Sequence, residues 1–419
     1  MAAILDTLRG GAWVTRERAR LVGFALLAAS VLGLAFILAT ANGLNDRLGQ
    51  PLGTDFSNIY AAGTYVLEGE ASKPFDPAAQ WARERVIFGA ATPLYGWHYP
   101  PFFLGLAALL ASMPYLVALL VWQGVTLILY LLAIRSILSS PSPLQGEAKQ
   151  DRLWLPLALA YPAVFINIGH GHNGFLTAAL FTAALLTLDK RPVLSGVLIG
   201  CLAYKPQFGL LIPLVLIATG RWRVFIAAAI TVAAMAVAVT LAFGVDVWRA
   251  FIASGEFTRT VVLEQGSTGW HKIQTLFSWA RMWGASIPVA YAVQAIATLG
   301  VAVGIVALWR SRAPFALKAA ALLIGSLLAT PYSLDYDMML IAPAIAFLAA
   351  DAFQRGAPPW QKTLLAALWL TPLIARSVAQ ATHIPIGAPV MLLSFTWLLH
   401  YAMHTNDRIK AARFAGEAP

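Results

Sequence analysis

Long apolar runs constrain this chain more than any other feature. Several continue for about 20 residues without a charge, which is the length an α-helix needs to cross the hydrocarbon core of a bilayer. Backbone amides cannot find water there, so such runs are expected to be helical. The chain is 59% hydrophobic and 11% charged, which excludes a soluble globular domain. The sequence therefore predicts an all-α polytopic membrane protein.

Twelve spans are predicted from these runs. Their predicted boundaries are 20–42, 115–138, 153–168, 174–188, 193–204, 207–220, 222–244, 288–309, 314–330, 337–353, 362–379 and 388–404. Several between 153 and 220 are short, so we expect them to tilt or to end inside protein beside a water-filled cavity. No fixed-period repeat or separate soluble domain is visible, which indicates a single membrane domain over residues 1–419.

The parts of this domain follow from the spans. We predict a first span, a long outer loop, central spans, a second outer loop, C-terminal spans and a cytoplasmic tail, at 20–42, 43–114, 115–244, 245–287, 288–404 and 405–419. Lys and Arg are enriched in the connections on the side of the N-terminus, so both termini are predicted to be cytoplasmic. The basic residues are scattered between apolar segments, so the net charge of +10 reflects topology and not nucleic-acid binding.

The segment 99–114, YPPFFLGLAALLASMP, is apolar but too short to span comfortably. Counting it as a span would invert the charge pattern of everything that follows. We therefore expect a re-entrant or interfacial helix on the outer side. Interfacial helices are also predicted at 77–88 and 271–283, and a cytoplasmic linker at 139–152.

Ionisable residues at membrane depth are costly and usually face a cavity or a partner. On the predicted topology the unusual ones gather on the outer side of the membrane, beginning with Asp55 in LGTDFSNIYAAG at 52–63. Thr54 or Asp55 could cap a helix that begins near Phe56. Alternatively, Asp55 is a reactive carboxylate, and its local spacing leaves both interpretations open.

Two further motifs join short apolar segments by outer turns. In GHGHNG, His170 and His172 stand two residues apart, which differs from the spacing of a helical metal site, so turn polarity, ligand contact and a bound metal all stay open. In AYKPQFG, Lys205 either snorkels towards headgroups or binds an anion beside the helix start at Gln207.

Two later segments also place polar residues outside. GSTGWHKIQ, 266–274, presents Trp270, His271 and Lys272 either as an interfacial anchor or as a mobile loop that closes on a phosphate. TPYSLDYDMM, 330–339, contains Asp335 and Asp337, which either cap a helix or contribute to a functional site. His98, Arg376 and His383 are further unusual ionisable residues on this side. Cationic groups beside aromatic and amide groups suit a substrate with a phosphate and a sugar on a lipid carrier.

Five motifs in order along residues 50–345 resemble glycosyltransferase family 87. They are GTDF with Asp55, HYPPFF at 98–103, GHNGFL at 171–176, KPQFGLLIP at 205–213 and SLDYDMMLIAP at 333–343. The family commonly has glutamine where this chain has His172. The resemblance implies a GT-C-type membrane fold and the inverting transfer of one sugar, most often mannose, from a polyprenyl-phosphate donor. It also implies a lipid or glycan acceptor, an active site on the outer face of the inner membrane, and Asp55 as the catalytic base.

The remaining site residues are assigned by side-chain chemistry. A departing phosphate needs positive charge and hydrogen-bond donors, for which the candidates are Lys205, His271 and Lys272. The candidate contacts to the sugar or acceptor are His98, Tyr99, His172, Asn173, Gln207, Trp270 and Asp335. Cationic side chains can neutralise a single phosphate, so neither a metal nor another cofactor is predicted.

Two other classes of protein fit the apolar pattern. A twelve-span transporter or flippase of a lipid-linked or anionic sugar is the main alternative, although such transporters usually show two similar halves and none are visible here. A non-catalytic subunit that binds polyprenyl lipid is the other, and it would not need Asp55.

Overall fold

The computed structural model describes residues 2–139 and 153–414, and over these residues the chain is helical, without a β-strand. Its first half contains α1 (Ala2–Gly10), α2 (Arg16–Ala39), α3 (Thr54–Leu67), α4 (Pro77–Phe88), α5 (Leu104–Ala111), α6 (Tyr115–Leu138), α7 (Trp154–Leu159), α8 (Pro162–His170), α9 (Gly174–Thr187) and α10 (Pro192–Cys201). The second half contains α11 (Leu211–Ala218), α12 (Trp222–Phe243), α13 (Asp246–Phe257), α14 (Leu276–Met282), α15 (Ile287–Arg310), α16 (Phe315–Leu328), α17 (Ile341–Arg355), α18 (Gln361–Thr382) and α19 (Gly387–Phe414).

Short tighter or wider turns connect several of these helices. The 3₁₀ turns lie at Lys73–Phe75, Pro101–Phe103, Leu202–Tyr204, Pro206–Gly209, Trp270–Lys272 and Asp335–Leu340. A π-helical stretch, Thr258–Glu264, continues α13. Several of these irregular segments contain the polar motifs identified in the sequence.

Within the described residues, six helices are long and apolar enough to cross a membrane, so the chain is a helical membrane protein. They are α2, α6, α12, α15, α18 and the segment Asp335–Arg355, each of which coincides with a predicted span. The other predicted spans correspond to shorter or interrupted helices, and the count of twelve stays a prediction. Lipid-facing surfaces are visible on α2, where Leu21 and Leu32 are 72% and 70% exposed.

The predicted span 153–168 is not one helix. It divides into α7 and α8 at Tyr161, which has φ −56° and ψ 121°. The reason is Pro162, because a proline ring pushes the preceding residue out of the α-helical region. The break lets α8 begin with a new direction and end at His170.

One predicted helix start also needs correction. The helix predicted over 271–283 begins only at Leu276, because Thr275 caps it through a hydrogen bond accepted from the Ser278 amide. The predicted tail 405–419 is helical as far as Phe414. Residues 140–152 of the predicted linker 139–152 lie outside the described residues.

The core of the protein surrounds α16. Nearly every residue of this helix is buried, as expected for a helix that is apolar on all sides and enclosed by other helices. A second apolar cluster joins α3, α5 and α6 around Phe56, Phe103 and Trp122. A third, smaller cluster centres on Ile273 and Phe277. The polar site described below lies where elements from all three clusters converge.

The segment 43–114, predicted to be an outer loop, folds into α3 and into helices that support it. Helix α4 matches the predicted segment 77–88, and its buried Gln80 donates to the Asn58 carbonyl of α3 at 3.0 Å. Arg83 adds two hydrogen bonds to Glu68 at 2.5 and 2.6 Å. Helix α5 packs against α3 at Gly63, where an added Cβ would overlap the Ala107 carbonyl. Because Gly63 lacks a side chain, the two backbones can approach closely.

We predict that Gly63→Ala destabilises the protein by about 1–3 kcal/mol, because the new methyl group must push α3 and α5 apart. Thermal unfolding of purified protein in detergent measures this effect. Gly105→Ala is the matched control, since Gly105 lies on α5 with open space at its Cβ position. Equal melting temperatures for Gly63→Ala and the wild type would contradict the predicted close contact.

Candidate functional site

Asp55 lies in the first turn of α3. The residue that precedes the helix is Gly53, in a left-handed conformation with φ 71°, and no side chain caps the helix. The expectation that Thr54 or Asp55 caps a helix near Phe56 is therefore wrong, since both residues are already helical. A carboxylate in a first helical turn is stabilised by the helix dipole, which leaves its oxygens available for other contacts.

The turn between α8 and α9 packs against this first turn of α3. An added Cβ at Gly171 would lie 2.5 Å from the Phe56 Cβ and 3.3 Å from the Gly53 Cα. Gly171 also has φ 62°, a conformation that side chains disfavour. Only glycine satisfies both constraints easily, and the close approach brings His170 beside Thr54 and Asp55.

His170 contacts residues that are distant in the chain. Its Nδ1 lies 2.6 Å from the Thr54 hydroxyl and 4.0 Å from the nearer Asp55 oxygen. Its Nε2 lies 3.0 Å from a terminal nitrogen of Arg376 on α18. The imidazole therefore lies between the Asp55 carboxylate at the start of α3 and a guanidinium from the C-terminal half of the chain.

The turn Asp335–Tyr336–Asp337, hereafter the acidic turn, binds two cations. Asp335 is fully buried and accepts two hydrogen bonds from Arg376, through Nε and Nη2. Asp337 accepts a hydrogen bond from the Lys205 ammonium at 2.6 Å. Both members of the Lys205–Asp337 pair are buried, with side chains 6% and 3% exposed. Buried charges need such partners, because isolated ones would be strongly destabilising.

Tyr336, the central residue of the acidic turn, packs against the GHNG motif. Its ring stacks on His172 with centroids 3.6 Å apart, and the Lys205 ammonium lies 5.5 Å from its centroid. Its carbonyl accepts a hydrogen bond from Asn167 at 2.9 Å. Asn167 in turn accepts from the Gly174 amide at 3.1 Å. This arrangement fixes the predicted residues His172 and Lys205 against the same aromatic ring.

Two buried side chains of the GHNG motif have polar atoms without partners among the described residues. Asn173 is fully buried and neither its amide oxygen nor its nitrogen is hydrogen-bonded, and the same holds for Nδ1 of His172. Buried polar groups usually have partners, so unpaired ones indicate a place where water or a ligand binds. That His172 and Asn173 contact a ligand stays a prediction.

The loop 266–274 supplies two of the predicted cations. His271 and Lys272 are half-buried, and among the described residues no ion pair involves either of them. Burial lowers the pKa of Lys272, and the nearby charge of Arg376 lowers it further. Burial also lowers the pKa of His271, with additional effects from Lys272 and Arg376. A group of cations that disfavour each other's charge is suited to receive an anion.

Trp270 has a different place from its neighbours. Its indole donates to the Leu263 carbonyl at 2.9 Å, and the Arg281 guanidinium lies 4.7 Å from its ring centroid. These contacts secure the base of the loop. Trp270 is therefore not grouped with Asp55, although it fixes the segment from which His271 and Lys272 project.

Of the remaining predicted residues, Tyr99 is buried and feels the charges of two acids, whereas His98 contacts Thr258. Burial raises the pKa of Tyr99, and the charges of Asp55 and Asp337 add to this. His98 lies 2.9 Å from the Thr258 hydroxyl, and burial lowers its pKa to about 4, so it is neutral near pH 7. Gln207 is half-buried in the turn after Lys205.

Three residues of the site received no role from the sequence. Arg376 and His170 were noticeable as polar residues in apolar surroundings, but their partners lie 41 and 206 residues away along the chain. Asn167 gave no signal in the sequence. Asp335, predicted to contact a sugar or acceptor, is fully buried and bonded to Arg376, so in this structure it can act on a ligand only through that residue.

The fold and the site together define a polytopic membrane protein whose carboxylate faces an imidazole and several cations, a set suited to proton transfer beside an anion. The model of glycosyltransferase family 87 matches residues 97–331, which is more than half of the chain. The chain belongs to glycosyltransferase family 87, and its class of activity is sugar transfer. Neither curated proteins nor solved structures give a match to it. Asp55, Asp335 and Arg376 lie outside the matched residues.

Asp337→Asn is expected to destabilise the protein by about 3–5 kcal/mol, because it leaves the Lys205 ammonium buried without its partner. The melting temperature in detergent reports this loss. In the control Asp246→Asn, the variant removes an exposed ion pair with Arg249, whose side chains are 77% and 81% exposed. We expect almost no change there. Similar melting temperatures for both variants would contradict a structural role for the buried pair.

Proposed function

We propose that this protein moves a single sugar, mannose, from a polyprenyl-phosphate donor to a hydroxyl group of a lipid or glycan. Membership of family 87 supports sugar transfer in general. The observation that carries the specific proposal is the position of Asp55, a partly accessible carboxylate in a group of cations that belong to distant parts of the chain. That combination suits a reaction in which a hydroxyl loses a proton while a phosphate departs.

In the proposed reaction Asp55 is the general base. An Asp55 oxygen accepts the proton of the acceptor hydroxyl as that oxygen attacks C1 of the sugar. The new C1–O bond forms on the face opposite the phosphate, so the anomeric configuration inverts. The bond between C1 and the phosphate oxygen breaks, and its electron pair leaves with the polyprenyl phosphate. Asp55 ends the step protonated and later releases that proton to water.

The leaving phosphate needs compensation for its developing charge. We assign this role to His271 and Lys272, which have no ion-pair partner among the described residues, together with Lys205. Lys205 is already bonded to Asp337, so its contribution to the phosphate is smaller than that of a free ammonium. Positive groups fixed in advance stabilise a departing anion without further reorganisation. No divalent ion is required in this scheme.

Sugar and acceptor contacts are assigned to the polar and aromatic residues around the acidic turn. Asn173 and His172 have unpaired polar atoms that a sugar hydroxyl could bond, and Tyr99 lies within the influence of Asp55. Three other residues remain predicted contacts to the sugar or acceptor: Gln207, His98 and Trp270. Asp335 acts through Arg376. Unpaired amides of this kind can discriminate between substrates by their hydroxyl groups.

The proposed setting is a single GT-C-type domain in the inner membrane, with twelve crossings and both termini in the cytoplasm. The long outer loop 43–114 would then place Asp55 on the periplasmic or external side. A lipid-linked donor makes this arrangement reasonable, because its phosphate stays at the membrane surface while its chain stays in the bilayer. The distribution of Lys and Arg along the sequence supports this orientation.

The proposal predicts that Asp55→Asn abolishes transfer of label from radiolabelled polyprenyl-phosphate-mannose to a crude lipid and glycan extract. The expected loss is at least about 100-fold, since the amide cannot accept the proton. Purified protein in EDTA is used, and activity that returns only with a metal would contradict the metal-free scheme. Asp76→Asn is the matched control, because Asp76 is an exposed helix cap in the same loop and asparagine caps equally well.

Each outcome separates the candidate functions. Equal transfer by wild type and Asp55→Asn would show that Asp55 is not the base. Absence of transfer with every lipid-linked sugar, together with movement of such lipids across vesicles, would support the transporter alternative. Binding of donor without transfer or movement would support a non-catalytic subunit.

A pH dependence follows from the surroundings of Asp55. Burial raises the pKa of its carboxyl above the ordinary value of 3.8, while neighbouring His170, Arg376 and Lys205 act in the opposite direction. The base must be ionised, so the rate should fall as the pH decreases through this raised pKa. The donor phosphodiester does not titrate in that range. A rate profile that stays flat down to the ordinary aspartate value would contradict the prediction.

A further inference from the structure

His170 connects Asp55 to a charge pair on the opposite side of the site. The connection runs from Asp335 through Arg376 and His170 to the first turn of α3. Four separate parts of the chain contribute: the start of α3, the end of α8, the acidic turn and α18. The proposed sugar-transfer step uses Asp55 alone, so the role of the rest of this connection is unassigned.

The hydrogen bonds determine which nitrogen of His170 carries the proton. A guanidinium can only donate, so Nε2 of His170 accepts the bond from Arg376 at 3.0 Å. The single proton of the neutral ring must then lie on Nδ1. That nitrogen is 2.6 Å from the Thr54 hydroxyl and 4.0 Å from the Asp55 oxygen. The imidazole therefore directs an N–H group, and not a lone pair, towards the start of α3.

Arg376 is itself held in one orientation. Its Nε and Nη2 both bond to Asp335, whose carboxylate is fully buried and also accepts from the Tyr336 amide at 3.0 Å. A planar guanidinium bound at two points by a fixed carboxylate has little freedom to rotate. The Arg376 N–H group that faces His170 is therefore held in place by Asp335, without any contact to a ligand.

We propose that His170 is a positioning residue for Asp55, and that Arg376, fixed by Asp335, maintains the His170 tautomer that donates towards Asp55. The inference rests on the proposed role of Asp55 as the base. In this structure the Nδ1 proton is donated to the Thr54 hydroxyl at 2.6 Å, and the Asp55 oxygen lies 4.0 Å from Nδ1. The proposal requires that the Asp55 side chain rotates to within hydrogen-bond distance of Nδ1 and shares this proton with Thr54. One carboxylate oxygen then binds His170 and the other is directed at the acceptor hydroxyl. His170 neither gains nor loses a proton in this step.

Other charged or titratable groups also act on Asp55 through their charge. They come from segment 43–114, from the turn after α10, from loop 266–274, and from the acidic turn and the residues just before it. They are Glu84, Tyr95, Tyr99, Lys205, Lys272, Tyr332, Asp335 and Tyr336. His170 differs from these groups because its side chain also contacts Thr54, the residue next to Asp55. This geometry distinguishes it from groups that act on Asp55 only through their charge.

Two substitutions of His170 separate positioning from packing. In His170→Asn the side-chain amide can place an N–H near the position of Nδ1, whereas in His170→Gln the amide reaches the position of Nε2 and leaves Nδ1 unreplaced. We expect the maximal transfer rate to fall about 100-fold in His170→Gln and about tenfold or less in His170→Asn, since misdirection of a catalytic group costs this much. The KM for polyprenyl-phosphate-mannose should be unchanged in both.

The control is His383→Asn. His383 is exposed and has a left-handed backbone with φ 59° that asparagine also adopts. Among the described residues, no side-chain hydrogen bond or ion pair joins it to Asp55, His170 or Arg376. Its transfer rate should equal that of the wild type, and melting temperatures should confirm that all variants are folded. Equal losses in the two His170 variants, or no loss in either, would overturn the positioning role.

A second measurement does not depend on activity. In protein with ¹⁵N-labelled histidine in lipid bilayers, we expect the His170 signal, assigned by its loss in His170→Gln, to show the neutral Nδ1–H tautomer. In Arg376→Met it should shift to the other tautomer or to the imidazolium. A wild-type signal of the Nε2–H form would overturn the inference even if Asp55→Asn is inactive. If Asp55→Asn is active while the tautomer is as expected, the proposed base is wrong and the geometry of His170 stands.

Discussion

The acidic turn, in which Asp335 and Asp337 each neutralise a buried or half-buried cation, is the interaction on which the rest of the site depends. Two carboxylates so close in sequence would repel each other if left alone in low dielectric. Arg376 bonds to Asp335 and Lys205 bonds to Asp337, while the ring of the intervening Tyr336 stacks on His172. Removal of either acid leaves a cation that is expensive to bury. The turn therefore joins the central helices to the C-terminal ones and fixes the groups around Asp55.

Hydropathy predicted much of the framework, because membrane crossing depends on local composition. The six membrane-length helices coincide with predicted spans, and α4 has the predicted limits. The predicted span 153–168 was wrong because an average over apolar residues does not register the effect of Pro162 on Tyr161. The pattern also indicated that unusual polar residues gather on one side. It could not indicate that Lys205 pairs with Asp337, since 132 residues separate them.

The partial match to the family has a structural counterpart. Residues 97–331 contain the central helices, the GHNG motif and Lys205, whereas the proposed base, the acidic turn and Arg376 lie before or after that range. The site thus requires contributions from the whole described chain. Motifs in order along the sequence indicated family membership, but the relative placement of Asp55 and Arg376 is a property of the folded chain alone. Spacing in sequence cannot specify it.

The pair Asp335–Arg376 also has a mechanical meaning. Asp335 begins one membrane-length helix, Asp335–Arg355, and Arg376 lies in the last two turns of another, α18. Their hydrogen bonds link these two helices near the start of one and the end of the other. Helices tilt when bilayer thickness departs from their apolar length, and a tilt of either helix would change the geometry of the Asp335–Arg376 hydrogen bonds. Because His170 contacts both Arg376 and Thr54, such a tilt would also change the surroundings of Asp55.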